Sequence, residues 1–365
     1  MKKIILTIAL ILTAPLVAKS LDKKIANIFM LGFYGTSVDK GSKIVDDICR
    51  DGLGGVILFD RHPSKAGQPK NISSKQQLKK LNYQLSHACS HRPLIAVDQE
   101  GGKVQRLQRK YGFNGRYPKA SAIAKNGEMD ALMEYESMSA ELSSVGINYN
   151  LAPVADMAVN RKNRVIYRLG RSYGADATTV SLYNKIFINA MHEHAILTSL
   201  KHFPGHGSSL GDTHRGFVDV TSTWSKRELV PFKRLIKAGS VDSIMVAHVF
   251  NKRIDSKYPA SLSNRTVSGL LRANLGYKGV VITDDLQMRA ISKHYTLRET
   301  LKLAINAGND ILLFGNQLDP AHIVTIEKLV SMVKALISNG EVNISRINIA
   351  NRRISAMRNK INLGR

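Results

Sequence analysis

The strongest constraint on this chain is an alternation. Short apolar runs recur along it, and longer stretches with apolar residues at helical spacing lie between them. The runs cover residues 28–32, 54–59, 93–97, 146–153, 196–200, 243–247, 279–283 and 310–314. They are too short for helices and too continuously apolar for half-exposed strands, so they read as strands buried on both faces. The intervening stretches, 42–50, 75–89, 129–145, 177–194, 228–238, 263–275 and 297–307, read as helices. In the second of these Leu78, Leu81 and Leu85 share one face, and Ser263 or Asn264 offers an N-cap for the sixth. Two further helical stretches, 321–338 and 344–361, close the chain. Parallel strands need such crossovers. Eight repeats of strand then helix predict an α/β fold, a (β/α)₈ TIM-type barrel as a single catalytic domain, with an open doubly wound sheet as the alternative. No linker rich in Pro, Gly or Ser divides the chain, and the polar stretch 60–74 is its most hinge-like loop.

Residues 1–20 carry Lys2 and Lys3, an apolar run over 4–17, and small residues at Ala18 and Ser20 around Lys19. That order predicts a secretory signal peptide cleaved after Ser20, an exported, periplasmic protein, and a mature domain of residues 21–365. An uncleaved anchor is the alternative, although the run is short for a spanning helix. Two cysteines, Cys49 and Cys89, fall in apparent helices; a disulfide and two buried thiols both remain open.

The net charge of +25 favours anionic partners. The cations are spread rather than gathered in blocks. They are densest in the last stretch, at Arg346, Arg352, Arg353, Arg358, Lys360 and Arg365. No helix-turn-helix, zinc-finger or RRM signature accompanies them, and the export signal also speaks against nucleic acid as a partner.

In a barrel of this kind the active site lies at the C-terminal ends of the strands. The first ionisable groups after four of the apolar runs are Asp98, Lys201 with His202, His248, and Asp284. The densest polar segment is Lys201-His202-Phe203-Pro204-Gly205-His206-Gly207, followed by Asp212-Thr213-His214. There is no G-x-S-x-G elbow, no glycine-rich phosphate loop and no dinucleotide fingerprint, so no cofactor is expected. Two chemistries fit such a rim. One is retaining glycoside hydrolysis, in which a carboxylate attacks the anomeric carbon and a second group moves the proton. The other is water activation by a divalent metal on His202, His206, His248 and Asp284. Pro204 and Gly205 interrupt the helical spacing that would give His202 and His206 their force as ligands, so no metal is expected.

The combination KHFPGHG…DTH, together with VDQEGGKVQRL and TDDLQM, resembles the β-N-acetylglucosaminidases of glycoside hydrolase family three, and in particular their single-domain members. The likeness runs from about Asn27 to Gly315. It implies that Asp284 is the nucleophile, with Asp285 as rival; strand alternation would let only one of the two face the cup. It implies that His214 is the general acid/base and Asp212 its partner, a carboxylate that favours the protonated imidazole. Residues 207–211 then read as a mobile segment that carries His214 over the sugar. The sugar-binding positions that match are Asp98, Arg106, Arg171, Lys201 and His202, with His248 and Asp156 in supporting places.

The chain departs from the family pattern at Thr283, Tyr173 and Lys103, where Ser, Phe and Arg are usual. Lys103 therefore reads as a surface or supporting residue, and the somewhat long loop 160–169 puts the leaving-group side of the pocket in doubt. The implied activity is that of a monomeric, retaining exo-β-N-acetylglucosaminidase, a β-N-acetylhexosaminidase. It would release terminal N-acetylglucosamine from peptidoglycan fragments or related glycans, with its basic surface held electrostatically to the anionic cell wall. Phosphorolysis is a near alternative, because a His acid/base would not repel phosphate as a Glu would. A non-catalytic glycan-binding protein is a further one, opposed by the presence of both Asp284 and the Asp212–His214 pair.

Overall fold

The structure, a computed structural model, describes residues 20–362. The expected signal peptide, Ser20 apart, and Arg365 lie outside the described residues. Eight strands are present: β1 (Phe29–Gly32), β2 (Gly55–Ile57), β3 (Leu94–Val97), β4 (Tyr149–Asn150), β5 (Leu197–Phe203), β6 (Ser243–Val246), β7 (Val280–Thr283) and β8 (Leu312–Phe314). Every residue in them is buried, which is why they read as unbroken apolar runs. All pair in parallel in the order β7-β6-β5-β4-β3-β2-β1-β8. A parallel bridge between Ile282 and Ile311 joins the two ends and closes the ring. This is the (β/α)₈ barrel, and the open-sheet alternative falls.

β5 extends past the expected end at Leu200 to include Lys201, His202 and Phe203. Its register against β6 shifts between Leu200 and Phe203, an irregularity of the kind that re-aims side chains at a barrel rim. The Lys201–His202 and Phe203–Pro204 peptide bonds are cis.

The helices follow their local signals. Ser74 and Gln77 form a capping box ahead of Lys75–His87, and Thr296 and Glu299 form one ahead of Leu297–Ala307. The helix expected over 263–275 is wound as a π-helix, Arg265–Asn274, and Ser263 rather than Asn264 caps it by accepting from Thr266 N at 3.0 Å. The one expected over 42–50 is a single α-turn, Lys43–Asp46, that passes into a π-turn, Asp47–Asp51. A short helix, Ala120–Asn126, had no counterpart in the sequence reading.

Loop 60–74 is less hinge-like than its composition suggests. Lys70 and Asn71 near its end are buried. Lys70 Nζ donates to the carbonyls of Gly315 (2.9 Å) and Asn316 (2.6 Å), and Asn71 Nδ2 to those of Phe33 and Gly35.

The last helix, Ile344–Asn362, crosses the N-terminal end of the barrel. Arg353 meets Asp310 at 3.0 Å and Lys360 meets Asp242 at 2.9 Å, so part of the C-terminal cationic cluster neutralises buried carboxylates beneath β8 and β6. On the same end Cys49 and Cys89 form a disulfide, with Cα atoms 5.8 Å apart, which settles their pairing.

Candidate active site

A pocket of about 300 Å³ opens at the C-terminal mouth of the barrel, near the lower end of the range for small-ligand sites. Its apolar floor includes Ile57, Leu151, Met245 and Leu313. Asp98, Arg106, Arg171, Lys201, His202, His214 and Asp284 all line it, so seven of the eight expected site residues converge. The eighth, Asp212, reaches the pocket through His214. Lys103 is exposed and does not line it.

One wall is a network of compensated charges. Lys201 Nζ lies 2.9 Å from Asp98 and 2.8 Å from Glu100. Arg171 grips Glu100 through two bonds of 2.8 Å, and Arg106 reaches Asp98 at 3.4 Å. Burial alone would neutralise these groups. For Glu100 that effect is outweighed by Arg171 and Lys201, and for Asp98 by Lys201 and Arg106, so both carboxyls sit below their usual range. For Lys201, burial is outweighed by Asp98 and Glu100, which hold its ammonium above its usual range. The wall therefore presents fixed, ionised donors and acceptors suited to sugar hydroxyl and amide groups. Glu100 was not singled out from the sequence, although it stands in the quoted VDQEGG segment; its role depends on Arg171, distant in sequence.

His202 stands beside this wall. Its Nδ1 bonds Asp156 Oδ2 at 2.6 Å, and Asp156 also accepts from His206 N at 2.7 Å. His206 is buried, and desolvation pushes its imidazole down to about 4, so it is neutral; its Nδ1 contacts Ser209 Oγ at 2.6 Å. His248 bonds Ser261 Oγ at 2.7 Å and Asp285 O at 2.9 Å. These histidines brace the rim from separate positions. Among the described residues the convergent ligand-type cluster is Asp47, Asp51 and Glu327, away from this pocket, and Lys43 bonds two of its members. The geometry gives the metal reading no support.

Asp284 and Asp285 both line the pocket, contrary to the alternation argument. The reason is that β7 ends at Thr283, so strand geometry no longer separates them. Their environments do. Asp285 Oδ1 accepts from Gln287 N (3.0 Å) and Gly315 N (3.1 Å), and burial still pushes its carboxyl up to about 6. Asp284 accepts from Asp285 N at 2.8 Å. Burial would raise its pKa too, but the imidazoles of His248, His202 and His214 around it leave it at about 2. His248 is itself pushed towards the neutral form by burial, whereas His214 is held above its ordinary value. Asp284 is the more acidic member of the pair and stays ionised over the wider pH range.

His214 is half-exposed on the loop after β5. Asp212 Oδ1 accepts from its Nδ1 at 2.9 Å and from its backbone N at 3.0 Å. That hydrogen bond is the main reason its imidazole is held above its ordinary pKa, and Asp284 adds to the effect. Nε2 is left without a protein partner among the described residues, free for a substrate oxygen.

The loop is built on two glycines. A Cβ on Gly205, whose φ is +120°, would come 2.6 Å from Glu228 Cβ, and one on Gly207 would fall 1.8 Å from Met157 O. Asn163 Nδ2 donates to the carbonyls of His206 (2.8 Å) and Gly207 (3.1 Å), and Asn160 Nδ2 to that of Ser208 (3.1 Å). The loop 160–169 thus underpins this segment. Residues 207–209 are buried and tied down, and exposure begins at Leu210, so the whole stretch 207–211 does not behave as one loose arm. Glu228, buried with its carboxyl pushed up to about 7 by desolvation, lies beneath it and carried no sequence signal.

A closed parallel barrel with a carboxylate- and imidazole-lined, sugar-sized pocket at its C-terminal mouth defines a class, and known proteins narrow it. The family model for the glycosyl hydrolase family 3 N terminal domain matches residues 20–357. A beta-hexosaminidase of Xylella fastidiosa is 33% identical over 291 residues, covering 78% of this chain and 82% of that protein. Beta-hexosaminidase A of Pseudoalteromonas piscicida is 31% identical over 336 residues, 86% of this chain; the chain spans 54% of that longer relative. Among solved structures, a family 3 β-N-acetylglucosaminidase from Paenibacillus sp. FPU-7 superposes with a TM-score of 0.82 at 30% identity, covering 93% of this chain and 62% of that one. A β-N-acetylhexosaminidase from Beutenbergia cavernae does so with 0.80 at 28% identity, covering 93% and 98%. This chain belongs to glycosyl hydrolase family 3.

Proposed function

We propose that this chain is a retaining exo-β-N-acetylglucosaminidase. The observation that carries the reading is the division of protonation states within one pocket: Asp284 is ionised and His214 is biased towards the imidazolium form. Two titratable groups pushed apart in this way suit nucleophile and acid. In the first step Asp284 attacks the anomeric carbon while His214 Nε2 protonates the departing glycosidic oxygen, which leaves a glycosyl ester on Asp284 and a neutral imidazole. In the second, His214 takes a proton from water as the water oxygen displaces Asp284, which restores both groups and the β configuration. Asp98, Arg106, Arg171, Lys201 and His202 hold the ring and its acetamido group.

The further setting is part of the same proposal. Peptidoglycan fragments are the intended substrate, and export by residues 1–20 places a catalytic unit of residues 21–365 in the periplasm. The Cys49–Cys89 disulfide supports an oxidising compartment. The net charge of +25 supports association with an anionic wall.

Turnover of p-nitrophenyl N-acetyl-β-glucosaminide, followed by NMR with and without phosphate and chelator, tests the reaction. The expected first product is β-N-acetylglucosamine, insensitive to both additions. A phosphate-dependent sugar phosphate would reassign the enzyme as a phosphorylase, and no turnover on any β-N-acetylglucosaminide would leave a glycan-binding protein.

A further inference from the structure

The N-terminal end of the barrel, opposite the pocket, carries two open cavities of about 670 and 990 Å³. They share His91, Ser355 and Arg358 as a common wall, so they form one groove. Among the described residues no Asp or Glu lines either of them. Lys23, Lys24 and Arg352 line one side, and Lys79 and Arg92 the other. None of these takes part in an ion pair among the described residues, in contrast to Arg353 and Lys360 on the same helix as Arg352.

Arg358 is the sharpest case. Its guanidinium is partly buried, and it donates to the neutral oxygens of Asn27 and Gly54 with no carboxylate in reach among the described residues. Desolvation pushes it down to about 10. A partly desolvated cation without a counter-charge is unfavourable, and an anion brought alongside would offset that cost. His91 feels the same field: burial first, then Arg358 and Lys23, hold its imidazole below the ordinary value.

We infer that this groove is a binding site for an extended acidic peptide, a chain whose carboxylates are spaced by neutral amide groups. The shape argues for a chain, since a flat lipid surface would not reach a guanidinium recessed between two cavities. The lining argues for a peptide. Asn348, Ser355 and Asn359 interleave with the cations, and their side chains make no hydrogen bond among the described residues. Their carbonyl and hydroxyl oxygens can accept from the N–H groups of a peptide, a donor that polyphosphate lacks. The groove lies outside the pocket that serves the proposed hydrolysis, so occupation leaves that pocket open.

Fluorescent oligoglutamate, linear polyphosphate and phosphatidylglycerol vesicles are the probes, titrated against the full chain at several salt concentrations. Replacing Lys23, Lys24 and Arg352 together by Glu, all exposed positions, is expected to weaken oligoglutamate binding by about tenfold or more and to flatten its salt dependence. An equal reversal at Lys252, Arg253 and Lys257, exposed on the loop after β6, is expected to change it by less than about twofold. Both triple variants should keep wild-type turnover of the p-nitrophenyl substrate. The inference is overturned if the two variants lose binding equally, if neither does, or if polyphosphate or vesicles bind and oligoglutamate does not. The readout is binding, so it stands even if no glycosidase activity is found.

Discussion

The pocket at one end of the barrel and the groove at the other handle charge in opposite ways. At the C-terminal mouth Lys201 and Arg171 are matched to Glu100, and Lys201 and Arg106 to Asp98, within a few ångströms. At the N-terminal end Lys23, Lys24, Arg92, Arg352 and Arg358 face a groove with no acid in its walls among the described residues. The difference teaches where a strongly basic composition is useful. A catalytic pocket needs ionised groups whose positions and protonation are fixed before substrate arrives, and only close partners give that in a buried site. A surface that holds a flexible polymer needs charge without a competing partner. The excess of +25 therefore says little about the chemistry and much about what the far end can meet.

Substitutions at both ends test that contrast. Asp284→Asn should have the largest effect, a loss of turnover of about 10⁴-fold or more with glycan binding retained; comparable loss at Asp285→Asn with Asp284→Asn active would reverse the assignment. His214→Ala should cost about 10²–10⁴-fold, most on substrates with poor leaving groups. Its partner gives a pH signature. Asp212 raises the pKa of His214, so the alkaline limb of kcat/KM should lie above the ordinary histidine value. Asp212→Asn should move that limb to lower pH, because the acid form is then lost sooner.

Glu100→Gln removes the acid shared by Arg171 and Lys201, and should cost about 3–5 kcal/mol of stability in chemical denaturation because it leaves buried cations underpaired. A cost under about 1 kcal/mol would show that the mouth tolerates bare charge much as the far end does. The smallest effect should come at the far end, where Cys49→Ser with Cys89→Ser should lower stability by about 2–4 kcal/mol with catalysis unchanged.

Most of the barrel was legible in the sequence because strands buried on both faces must be apolar throughout, and the loops after them must turn polar. Four pocket-lining residues were legible for the same reason: Asp98, Lys201, His202 and Asp284 are where polarity resumes, whereas Arg106, Arg171, Asp212 and His214 were reached through the family resemblance. What stayed hidden depends on distant partners. Glu100 acquires its meaning from Arg171, and Lys70 from carbonyls at Gly315 and Asn316. The choice between Asp284 and Asp285 turned on their surroundings, because β7 ends at Thr283 and strand periodicity lapses before the pair. Of the six basic residues near the C-terminus, composition could not tell that Arg353 and Lys360 neutralise buried acids while Arg352 makes no ion pair among the described residues.

The account rests on Asp284 forming a bond to the sugar while His214 handles the proton. A slow fluorinated N-acetylglucosaminide, left with the enzyme and followed by peptide mass mapping, measures this directly. The expected result is a single glycosyl label on the carboxyl of Asp284, released with retained configuration. A label on Asp285 or elsewhere, or an inverted product with no trapped ester, would contradict it.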